Sequence, residues 1–196
     1  MKILVTLAHP APNSFNHALA NTVCESLLAC GHEVLFHDLY AEEFEPLLPA
    51  QEMPEDGIVS LDIQKHCEEL QSAEGIVIIH PNWWGQPPAI LKGWIDRVFR
   101  AGVAYQFLEG DSGEGTPIGL LKAQAALVLN TSNTPDERER VVFGDPLELL
   151  WKRCVFELCG VKRFYRRVFS VVVTSTLDQR GEWLAETRRL VREIFS

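Results

Sequence analysis

Alternating apolar strands and patterned helices predict an α/β fold: a doubly wound three-layer sandwich around a five-stranded parallel sheet of order 2-1-3-4-5. Three observations carry this reading. Residues 76–79 form a β-branched run with no polar alternation, as in a strand buried on both faces. From Pro88 onward, Ile90, Leu91, Trp94, Ile95, Val98 and Phe99 recur at the spacing of one helix face. The alternation of strand and helix then continues along the chain, which implies parallel pairing through right-handed crossovers. With 196 residues, 46% of them hydrophobic, the chain is expected to bury one core and to form a single domain over residues 1–196.

The elements follow in order. Residues 3–8 read as the first strand, residues 9–16 as a loop, and the next helix carries Leu19, Val23 and Leu27 before Gly31 ends it. Residues 33–39 read as the second strand and residues 41–57 as an acidic, Pro-containing surface excursion. A helix over residues 60–72, with Leu61, Gln64, Cys67 and Leu70 as its inner positions, leads to the central strand. After the helix opened by Pro87 and Pro88 comes a Gly-rich loop at residues 109–119, of the kind that carries mobility or contacts. Residues 123–129 read as the fourth strand, and residues 130–143 are polar and charged. Asp145-Pro146 starts a helix with inner positions Leu149, Leu150, Val155 and Leu158, stopped by Gly160. Residues 164–173 form the fifth strand, and residues 177–195 the last, amphipathic helix.

Composition excludes several classes of function. A net charge of −9 and a pI near 5.1 argue against a nucleic-acid backbone or an anionic membrane as the main partner. The first residues lack a signal-peptide pattern and no 18-residue apolar window exists, so a soluble, cytoplasmic protein without membrane insertion is expected. Cys24, Cys30, Cys67, Cys154 and Cys159 show neither CxxC nor zinc-site spacing, and read as small hydrophobes in a reducing compartment. No metal site is predicted, and no side chain stands out as a catalytic nucleophile or general acid.

In the 2-1-3-4-5 order, the winding reverses between the first and third strands, so their following loops flank one crevice. The first loop runs from His9 into a helix N-terminus, where free N–H groups and the dipole attract an anion, and Asn13, Ser14 and Asn16 add short polar groups. Plain helix capping uses the same geometry. No GxxxxGK[ST] is present, which excludes a P-loop. Across the crevice, Pro81, Asn82, Trp83, Trp84 and Gly85 offer an aromatic face and backbone donors for a heteroaromatic ring. Asn130, Thr131, Ser132 and Asn133 supply a polar edge after the fourth strand. Phosphate end, ring wall and polar edge together describe a site for flavin mononucleotide.

These residues resemble the flavodoxin-like NAD(P)H dehydrogenase (quinone) family along essentially the whole chain. The resemblance rests on Ala8-His9-Pro10 with Ser14-Phe15-Asn16, on His80-Pro81 through Trp84, and on residues 88–99 leading to Ala104-Tyr105. It implies that His9, Ser14, Phe15 and Asn16 hold the flavin phosphate and ribityl groups, and that residues 81–85 and 130–133 line the isoalloxazine. It also implies a homodimer with sites at the interface, Tyr105 reaching the partner's substrate pocket. The chain departs from the family after the fourth strand, where Phe143 stands at a His position and Arg138 lies near a Tyr position. Arg138 becomes a candidate contact to cofactor or nicotinamide phosphate. Asn82-Trp83 also departs from the family pattern. Members that bind FAD carry an extra carboxyl-terminal segment. This sequence ends at Ser196 with the fifth helix, which favours FMN, with FAD the alternative.

The function expected is a two-electron NAD(P)H:quinone oxidoreductase using a bound flavin. NAD(P)H is then the co-substrate and a quinone or similar aromatic compound the acceptor. A regulatory or ancillary flavoprotein with secondary reductase activity, for example one associated with a transporter, is the alternative. A flavin-free interaction module on the same fold is the third reading.

Overall fold

The computed structural model describes residues 1–54, 57–108, 110–111 and 113–196. The surface stretches read at residues 41–57 and 109–119 include residues 55, 56, 109 and 112, which lie outside the described residues. The main sheet comprises β1 (Lys2–Leu7), β2 (Glu33–Asp38), β3 (Gly75–Pro81), β4 (Ala125–Ser132) and β5 (Arg163–Ser170). All neighbours are parallel and the order is β2-β1-β3-β4-β5, the doubly wound order predicted.

The helices are α1 (Phe15–Ala29), α2 (Leu61–Ser72), α3 (Ala89–Val98), a short α4 (Asp136–Val141), α5 (Pro146–Leu149) and α6 (Leu177–Ile194). Ser14, Ser60 and Thr176 cap α1, α2 and α6, each accepting from the backbone N–H three residues on. A two-stranded antiparallel ribbon, Tyr105–Gln106 with Ile118–Gly119, lies between α3 and β4 in the chain.

Side-chain alternation along the strands builds two cores. Leu4, Ile76, Ile78, Ala126 and Val128 share one core with Leu70 of α2, Leu91 and Trp94 of α3, and Leu147 of α5. Ile3, Val5, Val77, Ile79, Leu127 and Leu129 share the other with Leu19 and Val23 of α1 and Trp183 and Val191 of α6. Every residue of β3 is buried, as a strand covered on both faces requires. The segment after β2 packs tightly over α3: a Cβ on Gly93 would lie 2.2 Å from the Pro46 carbonyl oxygen. There the buried Arg97 guanidinium grips Glu52 with two bonds of 2.6 and 3.0 Å and donates to the Glu45 carbonyl at 2.6 Å.

Four local readings are corrected. β4 continues through Asn130, Thr131 and Ser132, all buried, because β3 extends to Pro81 and pairs with Asn130 and Thr131 while β5 pairs through to Ser132. β5 ends at Ser170, and a 3₁₀ turn over Val172–Thr174 follows in which Val173 is exposed. Leu61 and Gln64 of α2 are exposed; the inner positions are Ile63, His66, Cys67 and Leu70. Beyond α5 the chain forms an eight-residue π-helix, Leu150–Glu157, whose i→i+5 bonding shifts the buried stripe. Leu147, Trp151, Val155 and Phe156 are therefore inside, while Leu149 and Leu158 are exposed.

Candidate functional site

The register sets the crevice. Leu7 pairs with Ile79 and Pro81 with Thr131, so the loops after β1, β3 and β4 leave the sheet side by side at its carboxyl edge. Between them lies a cavity of about 470 Å³. It brings together His9, Asn13, Ser14, Phe15 and Asn16 from the first loop with Pro81, Asn82 and Trp83 from the second. Thr131, Ser132 and Asn133 from the third complete that wall. Asn16 Nδ2 donates to Thr131 Oγ1 at 2.9 Å, joining first and third loops, while the buried Asn16 Oδ1 has no partner.

The α1 end of the crevice is held from behind. Ser14 caps α1 and lies 2.8 Å from His17 Nδ1, whose Nε2 lies 3.1 Å from Asp38 at the end of β2. The Ala11 N–H donates to His9 Nδ1 at 3.1 Å, so neutral His9 carries its proton on Nε2. Partial burial lowers the His9 pKa, and the neighbouring His17 adds to this, against the bond from Ala11 and the charge of Asp38. Arg180 of α6 also lines the cavity, bonded to Ser175 Oγ at 2.8 Å and the Val172 carbonyl at 3.1 Å. The sequence reading missed Arg180. It sits remote from the strand-end loops, and only the 3₁₀ turn after β5 brings it there. It supplies a cation at the crevice of an acidic protein.

The tryptophans sit on a two-residue hairpin. Trp83 and Gln86 exchange backbone bonds of 3.0 Å in both directions, and the central residues Trp84 and Gly85 have φ of 57° and 70°. Positive φ at both positions is the type I′ pattern. For Trp84 the left-handed region costs about 1–2 kcal/mol. Its side chain is fully exposed. Asn82 fastens the turn, accepting the Gly85 N–H on Oδ1 at 2.9 Å while its own N–H donates to the Thr131 carbonyl at 2.7 Å. Trp83 leans toward His9, ring centroids 6.3 Å apart.

A buried polar chain supports that hairpin. Arg166 of β5 donates from Nε to Asn130 Oδ1 at 2.7 Å and from Nη1 to Asp145 at 2.8 Å. Arginine has no acceptor, so this fixes the Asn130 amide with Nδ2 toward His80 Nε2, 2.9 Å away. Trp151 Nε1–H also donates to His80 Nε2 at 2.9 Å, which leaves the proton on Nδ1, 2.9 Å from the Pro81 carbonyl oxygen. Complete burial, with the Arg166 charge adding to it, pushes the His80 pKa down to about 3 despite the bond to Pro81.

Not every residue singled out in the sequence reaches the crevice. Trp84 and Gly85 face an adjoining cavity of about 540 Å³ with Phe143 and Pro146; Asn82 and Thr134 line both cavities. Asn130 lies beneath the floor, fully buried in the His80–Arg166 chain. Tyr105 lines a separate cavity with Phe99 and Arg100. Arg138 is exposed on α4.

With this geometry in hand, the class follows. The chain belongs to the family of the flavodoxin-like fold, whose sequence model matches residues 1–191. Its relatives are oxidoreductases. An uncharacterized NAD(P)H oxidoreductase of Haemophilus influenzae is 32% identical over 173 residues, covering 86% of this chain and 83% of that protein. The ribosyldihydronicotinamide dehydrogenase (quinone) of Pongo abelii is 30% identical over 215 residues, covering 96% and 90%. Among solved structures, the NAD(P)H:quinone oxidoreductase of Methanothermobacter marburgensis superposes with a TM-score of 0.84 at 25% identity, over 98% of this chain and 96% of that one.

Proposed function

We infer that this protein is a flavin-dependent NAD(P)H:quinone oxidoreductase, with the flavin held in the crevice between the loops after β1, β3 and β4. The observation that carries the reading is the crevice itself: the α1 N-terminus, Arg180 and Trp83 of the Trp83–Gln86 hairpin line one cavity. The names of its relatives support the same chemistry. The residues present fit a flavin: the unpartnered Asn16 Oδ1 suits a ribityl hydroxyl, and the α1 N-terminus suits a phosphate. A flavin bound there supplies two-electron transfer between a nicotinamide and a quinone.

The chain's own residues then bind, orient and exclude water. Ser14, Asn13 and the α1 backbone hold the anionic end, with neutral His9 offering its Nε2–H beside it. Thr131, Ser132 and Asn133 meet the polar edge of the ring. Trp83 walls its face, Trp84 borders the adjoining cavity, and the His80–Asn130–Arg166 chain keeps the Pro81 carbonyl in place. We assign FMN as the flavin, with FAD as the alternative.

We further assign a cytoplasmic homodimer. All five cysteines are free, which supports a reducing compartment, and no described helix is long and apolar enough to cross a membrane. Trp84 and Phe143 are exposed apolar side chains lining the second cavity, and Val141 and Val142, next to Phe143 in the chain, are exposed as well, which supports burial by a second copy. In that assembly Tyr105 and Arg138 contribute to substrate binding.

The test is the visible spectrum of the purified protein after incubation with FMN or FAD, followed by anaerobic addition of NAD(P)H and then a quinone. Flavin absorbance that bleaches with the nicotinamide and returns with the quinone is expected. A protein that stays colourless overturns the reading. Identification of the released flavin separates FMN from FAD, and sedimentation separates dimer from monomer.

A further inference from the structure

A second cluster of chemistry-bearing side chains lies at the β2 edge of the sheet. His37 of β2, Glu42 of the following turn and His66 of α2 each place one ligand-capable atom within 4.8 Å of the others. Both imidazoles are buried and the Glu42 side chain is 38% exposed. His37 Nδ1 lies 2.9 and 3.1 Å from the two Glu42 oxygens, and His66 Nε2 lies 3.8 Å from Glu42 Oε2. The far side of His37 is also occupied: Nε2 bonds Glu69 of α2. A cavity of about 400 Å³ opens onto the group, lined also by Glu45 and Asp62.

We propose that His37, Glu42 and His66 form a binding site for a borderline divalent cation such as zinc. Two neutral imidazoles and a carboxylate are the donor set that zinc selects, with a fourth position left to water. Around a tetrahedral zinc, with donors at about 2.0–2.2 Å, neighbouring donor atoms stand about 3.3–3.5 Å apart. The spacings here bracket that range, and Glu42, half-exposed in a turn, is free to adjust. Glu69 on His37 Nε2 is the outer carboxylate that orients a metal-ligating histidine and makes its other nitrogen a better donor.

The metal-free molecule keeps the cluster together with protons instead. His37 sits between two carboxylates, and Trp94 Nε1–H donates to His66 Nδ1 at 3.3 Å, which puts the neutral His66 proton on Nε2. Coordination at Nε2 moves that proton to Nδ1 and gives up the long Trp94 bond. The bound metal would tie the turn after β2 to α2. The site is separate from the crevice, so it stands or falls independently of the flavin assignment.

Titration of the full-length protein with zinc chloride in a non-chelating buffer tests this, with cobalt(II) as the spectroscopic probe. One ion per chain is expected, with a thermal midpoint raised by about 5–10 °C at a hundredfold excess over Kd. A change in Trp94 emission should accompany it. His66→Gln and Glu42→Gln should weaken binding at least tenfold, and Glu69→Gln by about 10–100-fold. Glu42→Gln changes a partly exposed turn residue, so it tests the site where a buried histidine variant fails to fold. A Cys30→Ser/Cys154→Ser variant should bind as the parent does, with a cobalt spectrum free of thiolate charge transfer. No saturable binding, unchanged affinity in both Glu42→Gln and His66→Gln, or a thiolate spectrum would overturn the proposal and leave a proton-held cluster only.

Discussion

Asn130 and His80 stand opposite each other in the β3–β4 register, and Asn130 Nδ2 lies 2.9 Å from His80 Nε2. Arg166 dictates which end of the amide faces the imidazole, and the imidazole in turn aims its Nδ1 proton at the Pro81 carbonyl. An arginine on the edge strand thus fixes a backbone group beneath the tryptophan hairpin.

Arg166→Met should remove this orientation and strand its partners. The Arg166 side chain is 5% exposed and pairs with Asp145, Glu148 and Asn130. Loss of one member of such a buried pair costs about 3–5 kcal/mol. Urea denaturation should show a lower midpoint, and a fall of under 1 kcal/mol would contradict the account.

His80 also sets a pH dependence. Its folded pKa of about 3 lies below the 6.5 of the free side chain, so the unfolded chain binds the extra proton below about pH 6.5. Stability from this group is complete above that value and falls as the pH drops toward the folded pKa. Between about pH 7.5 and about pH 5 the loss is about 2 kcal/mol. His66, pushed down to about 4 by burial and by His37, acts in the same direction, while His37, raised by Glu42 and Glu69 against its burial, acts oppositely. Denaturation of a His80→Gln variant at the two pH values should show a flatter slope than the parent.

Trp84→Asn should separate stability from function. Asparagine tolerates the left-handed backbone that Trp84 adopts at φ 57°, and the side chain removed is fully exposed. A gain of about 0.5–1 kcal/mol in flavin-free protein is expected. The indole lining the adjoining cavity is lost at the same time, so kcat/KM for a quinone should fall about tenfold, equivalent to about 1.4 kcal/mol. Unchanged kinetics would remove Trp84 from the site.

Ser14→Asp should also act with opposite signs. A carboxylate at the α1 N-cap retains capping and favours the helix dipole by about 0.3–1 kcal/mol. The same charge repels a phosphate, so flavin should bind at least tenfold more weakly while the flavin-free protein melts no lower. Retained flavin affinity would place the phosphate elsewhere.

The sheet order was legible because residues 76–79 are uniformly β-branched and the strand-helix alternation leaves few topologies. The crevice was legible for a related reason: its loops follow directly from that order. Other parts depended on tertiary contacts that local pattern does not encode. Asn130 reads as a loop residue, yet its pairing partner His80 and the arginine on the next strand carry it into the core. The π-helical segment after Leu149 changes the helical phase, so an α-period reading assigned Leu149 and Leu158 inward and overlooked Trp151 and Phe156. His37 and His66 were passed over because 29 positions separate them in the chain and only the packing of α2 beside β2 joins them. Tyr105 lies apart from the crevice in this chain, so its assigned role rests on the family resemblance and a second subunit.

The bond from Asn16 to Thr131 spans 115 positions of sequence. Its two ends belong to the first and the fourth strand units, so the pocket's floor closes only after β4 has docked beside β3. A contact of such long range carries a loop-closure cost that must be met before it forms, so it is expected among the later native contacts. Acquisition of the flavin proposed for this crevice would then report that the sheet is complete. A partly synthesised chain could present the helix N-terminus of α1 and the tryptophan hairpin together and still fail to retain the cofactor.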